Sequence, residues 1–191
     1  MSHKILFAGA AAAILSTVAL PALASTILQG KWYSGAFGTA VPSAVTGGGI
    51  PSTSPIGLSA PAGTSWTVTL TSAESLTVVD VQTAGDQFSV NINGSDVGLT
   101  STPVDGSTLC GNSVTCALGD SDYSRGVFFL PAGTDTIKLT YEGVIGDGSV
   151  DFFVGAPNGV PEPATWALML AGFAGLGAAL RGRRKAMAAP A

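Results

Sequence analysis

The residues best suited to chemistry lie close together, from Asp120 to Arg125. Asp120 and Asp122 carry carboxylates, Tyr123 carries a phenol and Arg125 a guanidinium. Such carboxylates can ligate Ca²⁺, which takes about six to eight oxygen ligands, or accept hydrogen bonds from sugar hydroxyls beside the Tyr123 ring. We favour the alternative, a structural turn closed by an aspartate side chain, with Arg125 in an ion pair. We therefore expect no metal or other cofactor, and a Ca²⁺ site is the alternative.

Histidine-dependent catalysis is excluded by position. The single histidine, His3, lies at the extreme N-terminus, in a segment expected to be removed on export. Without it the exported chain has no Ser-His-Asp or Cys-His site and no histidine-ligated zinc. A carboxylate pair of the glycosidase kind remains available, but so many acidic residues on a small surface form pairs by chance. We expect a protein without enzymatic activity.

The two cysteines, Cys110 and Cys116, flank a short polar loop. In an oxidising compartment such a pair forms a disulfide, and free thiols or a bond between chains are the alternatives. Closing so small a loop removes little unfolded-state entropy, so the bond should contribute less than about 3 kcal/mol. Its expected role is to stiffen the loop between Thr100 and Arg125.

The N-terminus has the pattern of an export signal. Lys4 precedes an apolar, alanine-rich run over residues 5–20, and Ala22 and Ala24 provide the small-x-small pattern of a cleavage site. We predict a signal peptide over residues 1–24, cut by signal peptidase after Ala24. Because no Arg-Arg pair precedes the apolar run, the general secretory route is expected. An uncleaved anchor is the alternative.

The C-terminal tail combines three features in a fixed order. Pro161 and Pro163 hold Glu162 in an extended segment, and a protease needs an extended chain at its cleft. Residues 164–180 carry no charge, and about 17 apolar residues is the lower limit for a membrane-spanning helix. The basic residues 181–185 should stay cytoplasmic. A plain C-terminal anchor on a proline-rich stalk is the alternative.

This order of motif, apolar span and basic end resembles the PEP-CTERM sorting signal of Gram-negative bacteria that produce exopolysaccharide. The resemblance implies cleavage by the membrane protease exosortase, a transient stay in the inner membrane, and delivery to the cell surface or extracellular matrix. The segments would be a proline-rich sorting motif at 157–163, a transmembrane helix at 164–180 and a basic cytoplasmic tail at 181–191. The sorting residues would be Val160, Pro161, Glu162, Pro163, Arg181, Arg183, Arg184 and Lys185.

The exported part of the chain is acidic. Between positions 25 and 160 it has three basic and eleven acidic residues, a net charge of −8. Nucleic acid is therefore not an expected partner, because phosphate contacts need clustered Lys and Arg.

Alternating apolar residues predict strands throughout this acidic region. Trp66, Val68 and Leu70 share one face of a strand, with Trp66 in the core. Similar runs cover residues 32–37, 76–81, 88–92, 127–130, 137–141 and 150–154. Asn93-Gly94 is a favoured type I′ hairpin turn.

We predict an all-β chain whose core, residues 65–156, is an antiparallel two-layer β-sandwich resembling a jelly roll. Residues 25–64 should supply an N-terminal strand and a Gly/Pro/Ser/Thr-rich loop that runs over the surface from Thr39 to Ala60. The order of motifs from Ser65 to Val154 also looks like the ectodomain common among PEP-CTERM proteins.

The expected function is that of an exported surface or matrix protein associated with exopolysaccharide and biofilm. The alternative is a carbohydrate-binding module with a defined sugar or Ca²⁺-dependent site, and a secreted enzyme is the third class considered. Solvent-exposed aromatic residues on one sheet face would favour the carbohydrate-binding module.

Overall fold

Strands dominate the structure, a computed structural model that describes residues 24–104, 106, 108–143, 146–155 and 173. The predicted sorting motif and basic tail lie outside these residues. So do the predicted signal peptide and transmembrane helix, apart from Ala24 and Phe173 respectively. No helix in the described part of the chain is both long and apolar enough to cross a membrane.

The described elements are thirteen strands and a six-residue helix. They are β1 (Ser25–Thr26), β2 (Trp32–Phe37), β3 (Ser43–Ala44), β4 (Leu58–Ser59), β5 (Trp66–Leu70), β6 (Glu74–Asp80), β7 (Gln82–Thr83), β8 (Gln87–Ile92), β9 (Ser95–Leu99), β10 (Leu109–Gly111), α1 (Val114–Gly119), β11 (Arg125–Leu130), β12 (Gly133–Gly143) and β13 (Gly148–Val154). The predicted all-β class is confirmed.

Two large sheets account for most of the strands. The six-stranded sheet has the order β1-β5-β12-β8-β9, with β3 also paired to β12, and the five-stranded sheet has the order β11-β6-β13-β2-β4. A small sheet joins β10 to β7.

The described strands from residue 65 to 154 pair with one another antiparallel, as predicted. Both large sheets are nevertheless mixed, because each contains one parallel pair that involves a strand before residue 65. β1 pairs with β5, and β4 pairs with β2, in parallel. Parallel neighbours need a connection of about a dozen residues or more. The chain between β2 and β4, and the still longer chain between β1 and β5, meet that need.

The larger hydrophobic cluster takes side chains from both large sheets. Trp66 of β5 is completely buried there, and its ring lies 4.8 Å from that of Phe152 of β13, centroid to centroid. Its indole N–H donates to the carbonyl of Pro61 at 2.9 Å, so the polar end of the ring is also satisfied. The prediction of a core Trp66 is confirmed.

The five-stranded sheet is apolar on its other face as well. Leu76 and Val78 of β6 belong to the larger cluster, whereas Val79 and the adjoining Val81 belong to a second one. The second cluster consists of Trp32, Val79, Val81, Ala84, Val114, Ala117, Tyr123 and Phe153. Burial on both faces explains why β6 contains consecutive valines.

The hairpin predicted at Asn93-Gly94 is confirmed. Ile92 of β8 pairs with Ser95 of β9, and the two turn residues have φ of 55° and 86°, as a type I′ turn requires. The Asn93 side chain also donates to Asp135 at 2.7 Å and accepts from the Thr136 N–H at 2.8 Å. The turn is therefore fastened to β12 of the same sheet.

The segment from residue 39 to 60 departs from the predicted surface loop. Val45 is fully buried, and Ser52 and Ala60 are buried as well. A Cβ at Gly49 would lie 2.6 Å from the backbone of Gly35, so this glycine permits close backbone packing against β2. We call residues 39–60 the strap.

Removing the Trp66 side chain should be strongly destabilising. A cavity left by Trp66→Ala should cost about 3 to 5 kcal/mol, a large part of the roughly 5 to 15 kcal/mol of a typical domain. Urea unfolding measures the loss. Thr69→Ala changes an exposed residue of the same strand, whose hydroxyl lies 3.1 Å from that of Thr134, and should cost no more than about 1 kcal/mol. Similar losses in the two variants would contradict the placement of Trp66.

Candidate functional site

The disulfide fixes a short helix against the five-stranded sheet. The predicted bond between Cys110 and Cys116 is confirmed, with their Cα atoms 5.5 Å apart. Within the closed loop, the Ser113 side chain accepts from the Cys116 N–H at 3.3 Å and caps α1. The helix buries Val114 and Ala117 in the second cluster. The loop is thus part of the cover of the sheet.

Hydrogen bonds also join the strap to this disulfide loop. The Thr53 N–H donates to the Asn112 carbonyl at 2.8 Å, and the Thr115 N–H donates to the Ser54 carbonyl at 2.9 Å. The Val114 N–H reaches the Ser52 hydroxyl at 3.4 Å. The two segments therefore cover the outer face of the five-stranded sheet together.

The aspartates that sequence analysis singled out form a turn. Asp120 accepts from the Asp122 N–H at 3.0 Å, which is the favoured Asx turn. Asp122 accepts from the Thr108 hydroxyl at 3.2 Å. The Arg125 guanidinium donates to the Leu118 carbonyl at 2.5 Å, where we had expected an ion pair.

Tyr123 cannot provide the exposed stacking face considered for it. Its side chain is fully buried in the second cluster. Its hydroxyl accepts from the Cys110 N–H at 2.6 Å and faces the carbonyls of Gln82 and Thr108 at 2.8 and 2.9 Å. Burial, chiefly, raises the pKa of this phenol. Tyr123 joins β7, β10 and the 120–125 turn from inside.

Metal ligation has no ready-made site in the part of the chain that the structure describes. There, no three His, Cys, Asp or Glu side chains converge in a way that could hold an ion.

Asp80 is a buried acid that sequence analysis did not single out. It ends β6 and is fully buried, with Oδ2 accepting from the N–H groups of Gly85 and Asp86 at 3.2 and 3.1 Å. Oδ1 has no hydrogen-bond partner among the described residues. Burial raises the pKa to about 8, and the backbone donors oppose this effect. Asp80 holds the 81–86 turn against the sheet.

Asp151 is a second buried acid, in the middle of β13. It lies opposite Ser34 of β2 on one side and Val79 of β6 on the other. Burial raises its pKa to about 7, and the nearby Ser34 hydroxyl opposes the shift. Neither carboxyl oxygen has a well-formed hydrogen bond to a described residue.

The sequence carried a signal for both of these buried acids. Asp80 stands between Val79 and Val81, and Asp151 stands next to Phe152 within an apolar run. A carboxylate inside a strand that is buried on both faces has no solvent side to reach. Asp86 and Asp135 are buried as well, so four of the described aspartates lie away from solvent.

A cavity of about 340 Å³ lies on the outer face of the five-stranded sheet. Its walls are mostly apolar and come from β2, the strap, β6, α1, β11 and β13. They consist of Trp32, Pro55, Thr77, Val114, Thr115, Leu118, Val127 and Phe153. No local sequence pattern could identify a site assembled from so many separate segments. Its volume is near the lower limit of small-molecule sites.

The two buried acids should make stability depend on pH. The folded-state pKa values are raised from 3.8 to about 8 for Asp80 and about 7 for Asp151, so the folded state retains their protons. Their stabilising contribution is fully present below about pH 4 and is lost as pH rises toward about 8. Between the unfolded-state and the folded-state pKa of each group, that group can lower the free energy of unfolding by about 1.4 kcal/mol per pH unit.

Urea unfolding at several pH values should therefore show a slope that Asp80→Asn and Asp151→Asn each reduce, because an amide does not titrate. Asp147→Asn, at an exposed position, should keep the slope of the unchanged protein. Parallel pH curves for all four proteins would contradict this account.

Comparisons with known proteins bear on the tail. No curated protein matches the chain. A search of solved structures matched the pre-peptidase C-terminal domain of a collagenase from Bacillus anthracis, with 13% identity over 71% of this chain and 98% of that chain, and a TM-score of 0.35. The sequence model of the PEP-CTERM protein-sorting motif matches residues 159–185. The resemblance noted in the sequence is thereby confirmed: this chain carries a PEP-CTERM sorting motif, which implies export and exosortase-dependent sorting to the surface of a Gram-negative bacterium.

Proposed function

We propose that this protein is a non-catalytic component of the cell surface or extracellular matrix that associates with exopolysaccharide and serves in biofilm. The sorting motif at residues 159–185 is the observation that carries the proposal. Signal peptidase removes residues 1–24, the apolar segment 164–180 holds an inner-membrane intermediate, and exosortase cuts near the Pro-Glu-Pro motif. The domain left outside is a two-layer, jelly-roll-like sandwich in which residues 65–156 supply most of the strands and β2 lies within one of the sheets.

A non-catalytic role agrees with where the reactive groups lie. Asp80, Tyr123 and Asp151 have raised pKa values, but each is fully buried and packed into a sheet or turn. Groups so placed cannot touch a substrate without local unfolding. The shifted pKa values therefore follow from the burial that builds the domain.

The exposed surface of the domain agrees better with weak or passive association with polysaccharide than with a dedicated sugar-binding face. Sugar-binding faces use exposed aromatic rings. Within residues 24–155, as far as they are described, Phe129 is the one exposed aromatic side chain. A single phenylalanine forms no aromatic surface along the sheet.

The second candidate remains a carbohydrate-binding module, and the cavity is the observation that favours it. Trp32 and Phe153 stand together in its wall, with ring centroids 5.2 Å apart. Calorimetric titration with defined oligosaccharides distinguishes the two candidates. Saturable binding that is lost when Leu118→Trp fills the cavity would favour the second.

The sorting prediction concerns Glu162. If exosortase recognises this carboxylate, Glu162→Ala in the native host should leave most chains uncut, with residues 181–185 still attached. Intact-mass analysis and membrane fractionation measure both effects. Glu142→Ala removes an exposed glutamate of β12 and should be processed normally. Normal cutting of Glu162→Ala would refute the role of the motif glutamate.

A calcium prediction separates the structural turn from a metal site. Asp120→Asn keeps an oxygen that can accept from the Asp122 N–H. Asp120→Asn and Asp122→Asn should therefore each change stability by less than about 1 kcal/mol. Millimolar Ca²⁺ should not raise the melting temperature of the unchanged protein. A calcium-dependent rise that both variants lose would establish the Ca²⁺-dependent alternative.

A further inference from the structure

Strand β11 forms one edge of the five-stranded sheet, and part of that edge is open. Its inner neighbour is β6, with Gly126 opposite Val78 and Phe128 opposite Leu76. The Asp80 N–H donates to the Ser124 carbonyl at 2.9 Å. Because main-chain groups alternate in direction along a strand, the even-numbered residues of β11 bond to β6 and the odd-numbered ones face away.

The outward main-chain groups have two different environments. Those of Arg125 are occupied, since its N–H donates to the Ser101 hydroxyl at 3.0 Å and its carbonyl accepts from the Ser101 N–H at 2.8 Å. For Val127 and Phe129, no described strand pairs with the outer side of β11. These two residues therefore present two N–H donors and two carbonyl acceptors at the edge.

The side chains beside these groups are apolar and exposed. Val127 is 64% exposed and Phe129 is 71% exposed. An open apolar edge is a template for another strand, and proteins ordinarily protect it with charges, bulges or short strands. On β9, at the edge of the other sheet, Asp96 and a shift of register provide such protection. β1 and β4 have two residues each.

From this edge we infer that two copies of the chain associate through β11, antiparallel, about a two-fold axis beside Phe128. Only an extended polypeptide offers alternating donors and acceptors that match those at the edge. In this register Val127 of one copy lies opposite Phe129 of the other, and each such pair exchanges both main-chain hydrogen bonds, four in all. Their side chains meet on the outer face, and no carboxylate belongs to the strand.

Neighbouring registers form fewer bonds. With the axis beside Val127, Phe129 would face Arg125, whose main-chain groups are already bonded to Ser101. With the axis beside Phe129, Val127 would face Pro131, which has no N–H to donate. The bond to Ser101 and the position of Pro131 therefore select the axis at Phe128.

The contact is small, so it should be weak for two free molecules. Stable complexes bury about 1,200 Å² or more, and a pair of short strands with two apolar side chains each falls below this. Weak contacts become effective when the molecules are held close together. A matrix or membrane surface provides that condition, where the pair joins two five-stranded sheets into one.

Cysteine capture in the full chain tests the register. Opposite residues of a bonded antiparallel pair have Cα atoms about 5.5 Å apart, within the range of a disulfide. The double variant V127C/F129C, exported to the oxidising periplasm, should therefore give a disulfide-linked dimer on a non-reducing gel. V97C/L99C places two cysteines with the same spacing on the exposed β9 and should stay monomeric. Equal dimer in both variants, or none in either, would overturn the proposal.

Sedimentation of the full chain in a non-ionic detergent provides an independent test. The dimer fraction should rise with protein concentration, and Phe129→Lys should reduce it several-fold, since a charged ammonium group would replace the ring that lies opposite Val127 of the other copy. Leu99→Lys, at another exposed apolar position, should leave it unchanged. Melting curves check that both variants fold. An unchanged dimer fraction in Phe129→Lys would refute pairing through β11, and capture of a different protein by V127C/F129C would refute the second copy as the occupant.

Discussion

Both faces of β6 and β13 are packed with apolar side chains, so the five-stranded sheet needs a cover that the six-stranded sheet cannot supply alone. Leu76 and Phe152 face the larger cluster, whereas Val79 and Phe153 face the second one. The outer face of the five-stranded sheet is covered by the strap and by the disulfide loop with the short helix α1. These segments contain little regular structure. The disulfide serves this cover, since the loop that it closes contains the start of α1, which buries Val114 and Ala117 in the second cluster.

The cover must also satisfy the main-chain groups that it buries. Tyr123 does so for three main-chain groups in two segments with one hydroxyl, and Asp80 holds the turn after β6 by accepting from two N–H groups. Loops with few regular partners leave donors and acceptors that side chains have to meet. The side chains that look most reactive in the sequence are thus used to hold the cover in place.

How much could be predicted from the sequence depended on the range of each interaction. The Asn93 turn, the core position of Trp66 and the Cys110 disulfide follow from patterns within a few residues, and the structure confirms them. The burial of Tyr123 and Val45 could not be predicted from the sequence. Polar residues stand close to both in the sequence and suggest an exposed position, and the residues that they pack against lie far along the chain. The cavity was unpredictable for the same reason, since it draws on six elements.

Charge and sheet edges together decide how such a domain behaves when many copies are crowded. The formal charge of −8 between residues 25 and 160 counts Asp80 and Asp151 as ionised. With raised pKa values of about 8 and about 7, both are partly neutral near neutral pH, so the folded domain carries less negative charge than its composition implies. The repulsion that remains acts between surfaces and is screened beyond about 8 Å at physiological salt. An edge without carboxylates, such as β11, is where this repulsion opposes close approach least.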